Sequence, residues 1–150
     1  MQGKKLPVYG DGKNVRDWLF VEDHAKAIDM VQEQGRLFET YNVGGHNEKQ
    51  NIEIINIIID TLQEMLPADD PRRALVSKDL ITYVEDRKGH DRRYAIAPDK
   101  IKAEIGWYPE TDFATGIKKT IAWFFEHEDW MKNVTSGDYQ KYYDDMYTNK

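Results

Sequence analysis

Apolar and polar positions change their spacing several times along this chain, and each change predicts a different element. Residues 6–9 and residues 18–21 lack helical spacing and predict two short strands. A Gly-Asp-Gly turn at residues 10–12 follows the first of them. Tyr-Asn-Val at residues 41–43, before a pair of glycines, and the apolar segment at residues 80–84 predict two more strands. The pattern therefore predicts four short strands separated by other elements.

Helical spacing predicts longer elements between and after these strands. Apolar residues three and four apart predict helices over residues 22–34, 51–66 and 98–105. Asp112 is expected to cap a long amphipathic helix, and the aromatic tail indicates a further helix over residues 136–147. The helix over residues 51–66 is apolar on more than one face, so we expect it to pack against partners on two sides. The apolar face expected for the first helix consists of Ala25, Ala27, Ile28 and Val31.

The alternation of short strands and longer helices predicts an α/β or mixed α+β fold rather than a helical bundle or a β-sandwich. The helix over residues 22–34 and the strand over residues 41–43 resemble one repeat of a larger sheet, because a buried strand needs neighbours on both edges. Residues 67–78 are polar, contain two prolines and are the only candidate linker. We expect this segment to join its neighbours, so that residues 1–150 form a single domain.

Composition excludes several classes of partner and site. The chain of 150 residues has a formal net charge of -6 and 32% charged residues, so its surface should repel nucleic acid and anionic membranes. The absence of cysteine excludes disulfides, thiolate metal sites and a cysteine nucleophile, and it favours a cytoplasmic location. The four histidines have no ligand spacing among themselves, so no metal site is expected. No apolar run reaches the roughly 18 residues of a membrane span.

A basic run at residues 86–94 is the most informative stretch of this acidic chain. It places three arginines, a lysine and a histidine around Gly89. Arginine offers a planar fork of donors that fits a phosphate, and glycine allows a sharp turn or a close approach of the backbone. The run therefore predicts an anion site, and a pyrophosphate would suit it. The alternative is a solvated loop on which the acids and bases neutralise one another.

Several motifs together resemble one enzyme family over nearly the whole chain. They are Pro-Val-Tyr-Gly at residues 7–10, Arg-Asp-Trp-Leu and Val-Glu-Asp-His within residues 16–24, Tyr-Asn-Val-Gly-Gly at residues 41–45, Asn-Glu-Lys-Gln-Asn at residues 47–51, the basic run, and Asn-Val-x-Ser-Gly-x-Tyr at residues 133–139. Their order and spacing resemble the C-terminal half of the dTDP-glucose 4,6-dehydratases. These are extended short-chain dehydrogenases/reductases with a Rossmann-like, NAD-binding fold. The resemblance implies that this chain is their substrate-binding region.

The resemblance implies substrate-binding roles for nine residues. They are Pro7, Val8, Tyr9, Arg16, Asn51, Asp86, Arg87, His90 and Tyr139. Residue types alone leave alternatives open: Tyr9 could fill the core, Arg16 could pair with Asp17 or Asp23, and Asn51 could serve the start of a helix. Salt bridges that support the loop are the roles expected for Asp91, Arg92 and Arg93.

The catalytic apparatus of that family is expected to be missing from this chain. The family binds NAD through a glycine-rich loop, and it uses a Tyr-x-x-x-Lys pair and an Asp-Glu pair for its chemistry. The turn at residues 10–12 lacks the third glycine of such a loop. The only Tyr-x-x-x-Lys spacing joins Tyr9 to Lys13 across that turn, where the two side chains cannot share a helical face. We therefore expect no catalytic residue, no bound NAD and no N-terminal NAD-binding region.

Three hypotheses follow from these observations. The leading one is the dTDP-sugar-binding portion of a dTDP-glucose 4,6-dehydratase, inactive without the N-terminal half that would be its partner. The second is a remnant that only binds nucleotide sugars, and the third is a structural piece that pairs with another chain. A related nucleotide-sugar epimerase or dehydratase is a further alternative, and the preference for dTDP or UDP is open. Exposed apolar surface would favour a homo-oligomer under each hypothesis.

Overall fold

Four short strands form two small sheets in the computed structural model, which describes residues 1–135 and Gly137. Strand β1 (Leu6–Tyr9) pairs in parallel with β4 (Ile81–Val84), with Leu6 opposite Ile81. Strand β2 (Val15–Asp17) pairs in antiparallel fashion with β3 (Glu48–Gln50). The predicted strands at residues 6–9 and 80–84 are thus confirmed to within a residue.

Five α-helices accompany these strands in the part of the chain that the structure describes. They are α1 (Val21–Gln34), α2 (Asn51–Met65), α3 (Asp99–Ile105), α4 (Phe113–Glu126) and α5 (Glu128–Thr135). Helix α2 begins with a reciprocal cap in which the Glu53 carboxylate accepts the Gln50 backbone N–H at 2.7 Å. Gly106 ends α3 in the left-handed conformation, with φ 75°. The helix predicted over residues 136–147 lies outside the described residues.

Two compact units divide the chain, with the boundary after Ile117. In the first unit, the buried core joins α1 to α3 through Ala27, Ile101 and Trp107, which are at most 2% exposed. The indole N–H of Trp107 donates to the Asp23 carbonyl at 3.1 Å. In the second unit, the Trp123 ring stacks on His127 and contacts neighbouring aromatic rings. No described helix is long and apolar enough to cross a membrane.

Two of the predicted strands are wrong. The strand near residues 18–21 lies instead at β2, and Val21 already begins α1. Residues 41–43 form no strand, because no described strand pairs with them; Tyr41 and Val43 pack against the α1–α3 core instead. Apolar composition identified residues that pack against other elements, but it did not identify their backbone partners.

The apolar face predicted for α1 is also partly wrong. Ala27 is buried and Val31 is half-buried, as that prediction requires. Ala25 and Ile28 face outward, and Ile28 is 57% exposed. Helix α1 therefore has a second apolar surface that the described residues leave uncovered.

The polar connection over residues 67–78 is fastened to α2. The guanidinium of Arg73 donates to the Leu66 carbonyl at 2.7 Å, and the Gln63 side-chain amide donates to the Arg73 carbonyl at 2.9 Å. Hydrogen bonds from Arg72 lower the pKa of the Asp70 carboxyl, which caps the short 3-10 turn in this connection. These hydrogen bonds hold the segment against the C-terminal end of α2.

Candidate functional site

The basic run is held at both ends by the two small sheets. Where it leaves β4, the Gly10 N–H donates to the Val84 carbonyl at 2.9 Å. At its other end, the Val15 N–H donates to the Arg92 carbonyl at 2.8 Å, and the Tyr94 N–H donates to the Val15 carbonyl at 3.1 Å. The loop therefore bridges β1 and β2, and this bridging brings its side chains to Tyr9 and Arg16.

The two glycines nearest the loop have different roles. Gly89 has φ 72°, and a β-carbon there would meet nothing within 4 Å. Gly10 has φ 56°, and a β-carbon there would lie 2.9 Å from the Asp86 carboxylate. Of the two uses of glycine that the sequence allows, Gly89 therefore serves the sharp turn and Gly10 the close approach.

Two guanidinium groups converge on one imidazole. The Nη2 atoms of Arg16 and Arg87 each lie 3.0 Å from Nε2 of His90. On the other side of the ring, Nδ1 of His90 lies 2.6 Å from Oδ1 of Asp86. The His90 side chain is only 7% exposed. We call Arg16, His90 and Arg87 the Arg–His–Arg cluster.

The partners of His90 fix its tautomer. Guanidinium groups only donate hydrogen bonds, so Nε2 accepts from both arginines and carries no proton. Because hydrogen bonds from His90 and Arg87 lower the pKa of the Asp86 carboxyl, that group is a charged acceptor. Nδ1 therefore donates to Asp86. His90 is a neutral imidazole that receives hydrogen bonds from two cations.

A tyrosine ring lies beside each guanidinium of the cluster. The Arg87 guanidinium lies 5.1 Å from the centre of the Tyr9 ring, and that of Arg16 lies 4.4 Å from the centre of the Tyr94 ring. The Tyr94 hydroxyl donates to the Asp91 carboxylate, which raises the pKa of that hydroxyl. Both rings hold an arginine in place without neutralising its charge.

The ion pair that residue types allowed for Arg16 does not form. The Asp17 carboxylate accepts the backbone N–H groups of Gly45 and Asn47, each at 2.8 Å. The Asp23 carboxylate is buried and accepts a backbone N–H of the segment before α4. Arg16 instead donates to backbone carbonyls and to His90. Its positive charge is therefore available to an anion.

The other arginines of the run are paired with carboxylates, as expected. Arg92 forms two hydrogen bonds with Asp11, at 2.7 and 3.1 Å, and Arg93 pairs with Glu48 at 2.5 Å. The hydrogen bond from Arg92 is the largest cause that lowers the pKa of Asp11 from 3.8 to about 2. These pairs hold the loop in place. Their carboxylates lie outside the run, so the acids and bases of the run do not neutralise one another at Arg92 and Arg93.

Sequence reasoning missed one residue of the site. Asn14 is buried, and its side-chain amide donates to the Asp91 carbonyl at 3.2 Å. The backbone carbonyl of Asn14 accepts the backbone N–H of Asn51 at 3.0 Å. Asn14 thus joins the basic loop to the start of α2. The only signal in the sequence was an uncharged amide at the start of a strand among charged residues.

The structure brings five of the nine predicted site residues together, and it places Pro7, Val8 and Asn51 outside that group. Five residues meet in and around the cluster: Tyr9, Arg16, Asp86, Arg87 and His90. Asn51 is connected to them through Asn14. Val8 is 3% exposed and is buried in the core, whereas Pro7 lies on an apolar groove beside α2. Tyr139 lies outside the described residues.

The features that could have indicated a cofactor or metal site are explained by local structure. The Gly12 N–H donates to the Tyr9 carbonyl at 3.1 Å, and the Gly12 carbonyl accepts from Ile52, so this turn is bonded to its own chain. Tyr9 and Lys13 lie on either side of that turn. Among residues 1–135 and Gly137, no group of three or more His, Asp or Glu side chains could hold a metal ion.

Comparison with known proteins identifies relatives of this chain. The sequence model of the family described as GDP-mannose 4,6 dehydratase matches residues 1–120. A dTDP-glucose 4,6-dehydratase of Shigella flexneri is 49% identical over 147 residues, which are 98% of this chain and 39% of the relative. The chain therefore spans about two fifths of the length of the curated relatives that it matches.

Solved structures show the same likeness. The dTDP-glucose 4,6-dehydratase of Bacillus anthracis, in complex with NAD, is 47% identical with a TM-score of 0.74, covering 89% of this chain and 38% of its own. DesIV, the dTDP-glucose 4,6-dehydratase of Streptomyces venezuelae, was solved with NAD and TYD bound. It is 38% identical with a TM-score of 0.74, covering 85% of this chain and 36% of its own. These relatives confirm the predicted α/β class and the extended short-chain dehydrogenase/reductase fold.

Proposed function

This chain belongs to the GDP-mannose 4,6 dehydratase family, and on that premise we propose that it binds the diphosphate of a dTDP-sugar. It would do so as the substrate-binding portion of a dTDP-glucose 4,6-dehydratase, the activity named for its relatives. A cytoplasmic location belongs to the same proposal. It is supported by the absence of cysteine and by the biosynthetic kind of ligand.

One observation carries this proposal: the charges of Arg16 and Arg87 meet at an uncharged acceptor. Each guanidinium donates to the neutral His90 ring rather than to a carboxylate. A diphosphate would offer both guanidiniums negatively charged oxygens in place of a neutral nitrogen, in a geometry that the planar guanidinium group fits. The net charge of the chain is -6, so this local positive charge is the part of the molecule suited to an anion.

The neighbouring residues suggest how the rest of the ligand would lie. Tyr9 is expected to face the nucleoside, because its ring already lies beside the guanidinium that would hold the phosphate. Asn51 lies at the start of α2 and would contact the sugar. Asp86 would hold the His90 ring in position. Family resemblance assigns Tyr139 to closing over the substrate, and that assignment rests on sequence only.

The proposed role is binding and not catalysis. The Arg–His–Arg cluster and the tyrosines beside it can bind an anion. The described residues contain no Tyr-x-x-x-Lys pair on a helix, which the chemistry of the family requires. The Bacillus anthracis and Streptomyces venezuelae structures hold NAD. We propose that this chain alone binds no NAD and forms no 4-keto product.

Calorimetry with the purified chain tests this function. Titration with dTDP-glucose and, separately, with UDP-glucose should give heat and a defined stoichiometry, and the ratio of the two affinities gives the base preference. The Asp86–Tyr94 loop should show chemical-shift changes in the same titration. Absence of both signals at millimolar nucleotide sugar would refute the binding function. Formation of 4-keto product with added NAD would refute the claim that the chain lacks catalysis.

Self-association is a second proposed property, and the uncovered surface of α1 favours it. Val21 and Ile28 are 69% and 57% exposed, and they lie on the same side of the helix as Ala25. Residues 41–43 beside this helix have no strand partner among the described residues. Size-exclusion chromatography with light scattering should show a concentration-dependent oligomer. An Ile28→Lys variant should shift it toward the monomer, and a wild-type monomer at every concentration would contradict the proposal.

A further inference from the structure

The two ring nitrogens of His90 make opposite kinds of hydrogen bond, since one must carry a proton and the other must not. Nδ1 donates to a carboxylate, and Nε2 accepts from two guanidiniums. A proton on Nε2 would remove the acceptor that Arg16 and Arg87 share. The ring therefore stays neutral as long as both arginines donate to it.

We propose that binding of a nucleotide diphosphate at the Arg–His–Arg cluster is coupled to uptake of one proton by Nε2 of His90. The inference rests on the proposed function, since it requires that the diphosphate binds between Arg16 and Arg87. It assigns His90 the role of a counter-charge that exists only in the complex.

The phosphate oxygens and Nε2 of His90 compete as acceptors for the two guanidiniums. Phosphate oxygens carry negative charge and the imidazole nitrogen carries none, so Coulomb attraction draws both guanidiniums from His90 to the phosphates. The lone pair of Nε2 is then free and lies next to an anion. A proton from the solvent forms an N–H bond at Nε2, and this group donates to a phosphate oxygen. The Nδ1–H bond to Asp86 is unchanged.

The charges at the site do not balance in the complex if His90 stays neutral. Arg16 and Arg87 are positive and Asp86 is negative, and the two phosphates of a nucleotide sugar carry one negative charge each. With a neutral His90, the complex has two positive and three negative charges. Protonation of His90 adds a third positive charge, so that positive and negative charges are equal in number. A charge that is desolvated without a partner is costly, which favours protonation.

The other groups around the ring do not supply this charge. The Tyr9 ring from β1 meets His90 edge to face with centroids 6.4 Å apart, and the Asn14 amide nitrogen lies 3.4 Å from Nδ1. The Asp91 carboxylate is directed to the Tyr94 hydroxyl, while the Asp91 carbonyl accepts from Arg16. His90 is thus the group that gains a free lone pair for a proton when the two arginines turn away from it.

The test is calorimetry with dTDP-glucose at about pH 7 in PIPES, HEPES and Tris, which differ in their enthalpy of ionisation. This ligand is chosen because its diphosphate, unlike that of dTDP, has no group that titrates near neutrality. Proton uptake makes the observed binding enthalpy less favourable as the buffer's ionisation enthalpy rises. The slope of the one against the other equals the number of protons taken up, which should be at most one. The affinity should also tighten as the pH falls, by at most about tenfold per pH unit for the uptake of one proton.

His90→Gln is the matched variant, because glutamine can accept from an arginine and donate to Asp86 but cannot take up a proton. It should bind more weakly and give enthalpies that do not depend on the buffer. Nitrogen NMR of the wild type gives a second measurement: Nε2 should carry no proton in the free protein and should carry one in the complex.

The outcomes separate this inference from the function beneath it. Binding by the wild type with buffer-independent enthalpies, or an equal slope in His90→Gln, would overturn proton coupling and leave the binding function intact. An Nε2 that stays unprotonated in the complex would do the same. No binding of dTDP-glucose at all would overturn the proposed function, and the coupling with it.

Discussion

The two halves of the basic run carry similar residues and have different environments. In the second half, Arg92 and Arg93 each pair with a carboxylate from another part of the chain, Asp11 and Glu48. In the first half, Arg87 lies beside a tyrosine ring and donates to the neutral His90, where Arg16 joins it. The difference teaches that the fold, and not the residue type, decides which arginines face a carboxylate, and the anion site is proposed where they do not.

One half of the run holds the loop in position, and the other half carries the residues of the proposed binding site. Paired arginines fix the end of the loop against the turn at Asp11 and against β3. The fixed loop then holds Arg87 and His90 beside β1 and β2. Pre-organisation of this kind lowers the entropy lost on binding.

Arg87→Ala is expected to have the largest effect. It should weaken the binding of dTDP-glucose by about 10- to 100-fold, because a hydrogen bond to a charged group contributes roughly 1.5–3 kcal/mol. Arg93→Ala is the matched control, since it removes the same charge from the same loop and should change the affinity by less than about threefold. Calorimetry measures both. Equal losses in the two variants would mean that net charge, and not the lack of a carboxylate partner, governs binding.

Gly89→Ala tests the turn between the two halves. Alanine at φ 72° is strained by roughly 1–2 kcal/mol, although nothing crowds the added β-carbon. Chemical denaturation should therefore show a loss of about that size. Gly89→Asn should lose less, because asparagine tolerates the left-handed conformation. A loss with asparagine as large as that with alanine would indicate crowding rather than backbone strain.

Arg93→Ala should have a small effect on stability. The pair with Glu48 is largely exposed, with side chains 60% and 34% accessible, and such pairs contribute roughly 0–1 kcal/mol. Urea unfolding of both proteins at two salt concentrations measures the loss in the free energy of unfolding. This loss should be smaller at the higher salt concentration. A loss that is larger and does not depend on salt would mean that Arg93 acts through packing.

The smallest effect is expected from the Asp11–Arg92 pair, and it should disappear in acid. The pKa of Asp11 falls from 3.8 to about 2 on folding, so this group favours the folded state above pH 3.8. That contribution is lost as the pH falls through about 2. The stability difference between wild type and Asp11→Asn should therefore narrow between about pH 4 and 2. A difference that stays constant over this range would contradict the lowered pKa.

Local patterns predicted most of the elements. The helices beginning near residues 21, 51, 99 and 113 and the strands β1 and β4 follow from apolar spacing, caps and turn residues. The errors occurred where strand pairing decides. Strand β2 is mostly polar and was missed, whereas residues 41–43, which are Tyr-Asn-Val, have no partner strand in the described part of the chain. A strand is defined by its neighbour, which no local pattern contains.

Residue types in the basic run predict an anion site, and family resemblance selects Arg16, Arg87 and His90 for it. The tertiary structure decided which arginines are neutralised, because Asp11 and Glu48 are distant in sequence from Arg92 and Arg93. It also decided the tautomer of His90, since that depends on partners from β2 and from the loop itself. Residue types set which charges exist, but only folding sets the distances between them, and electrostatic energies depend on those distances.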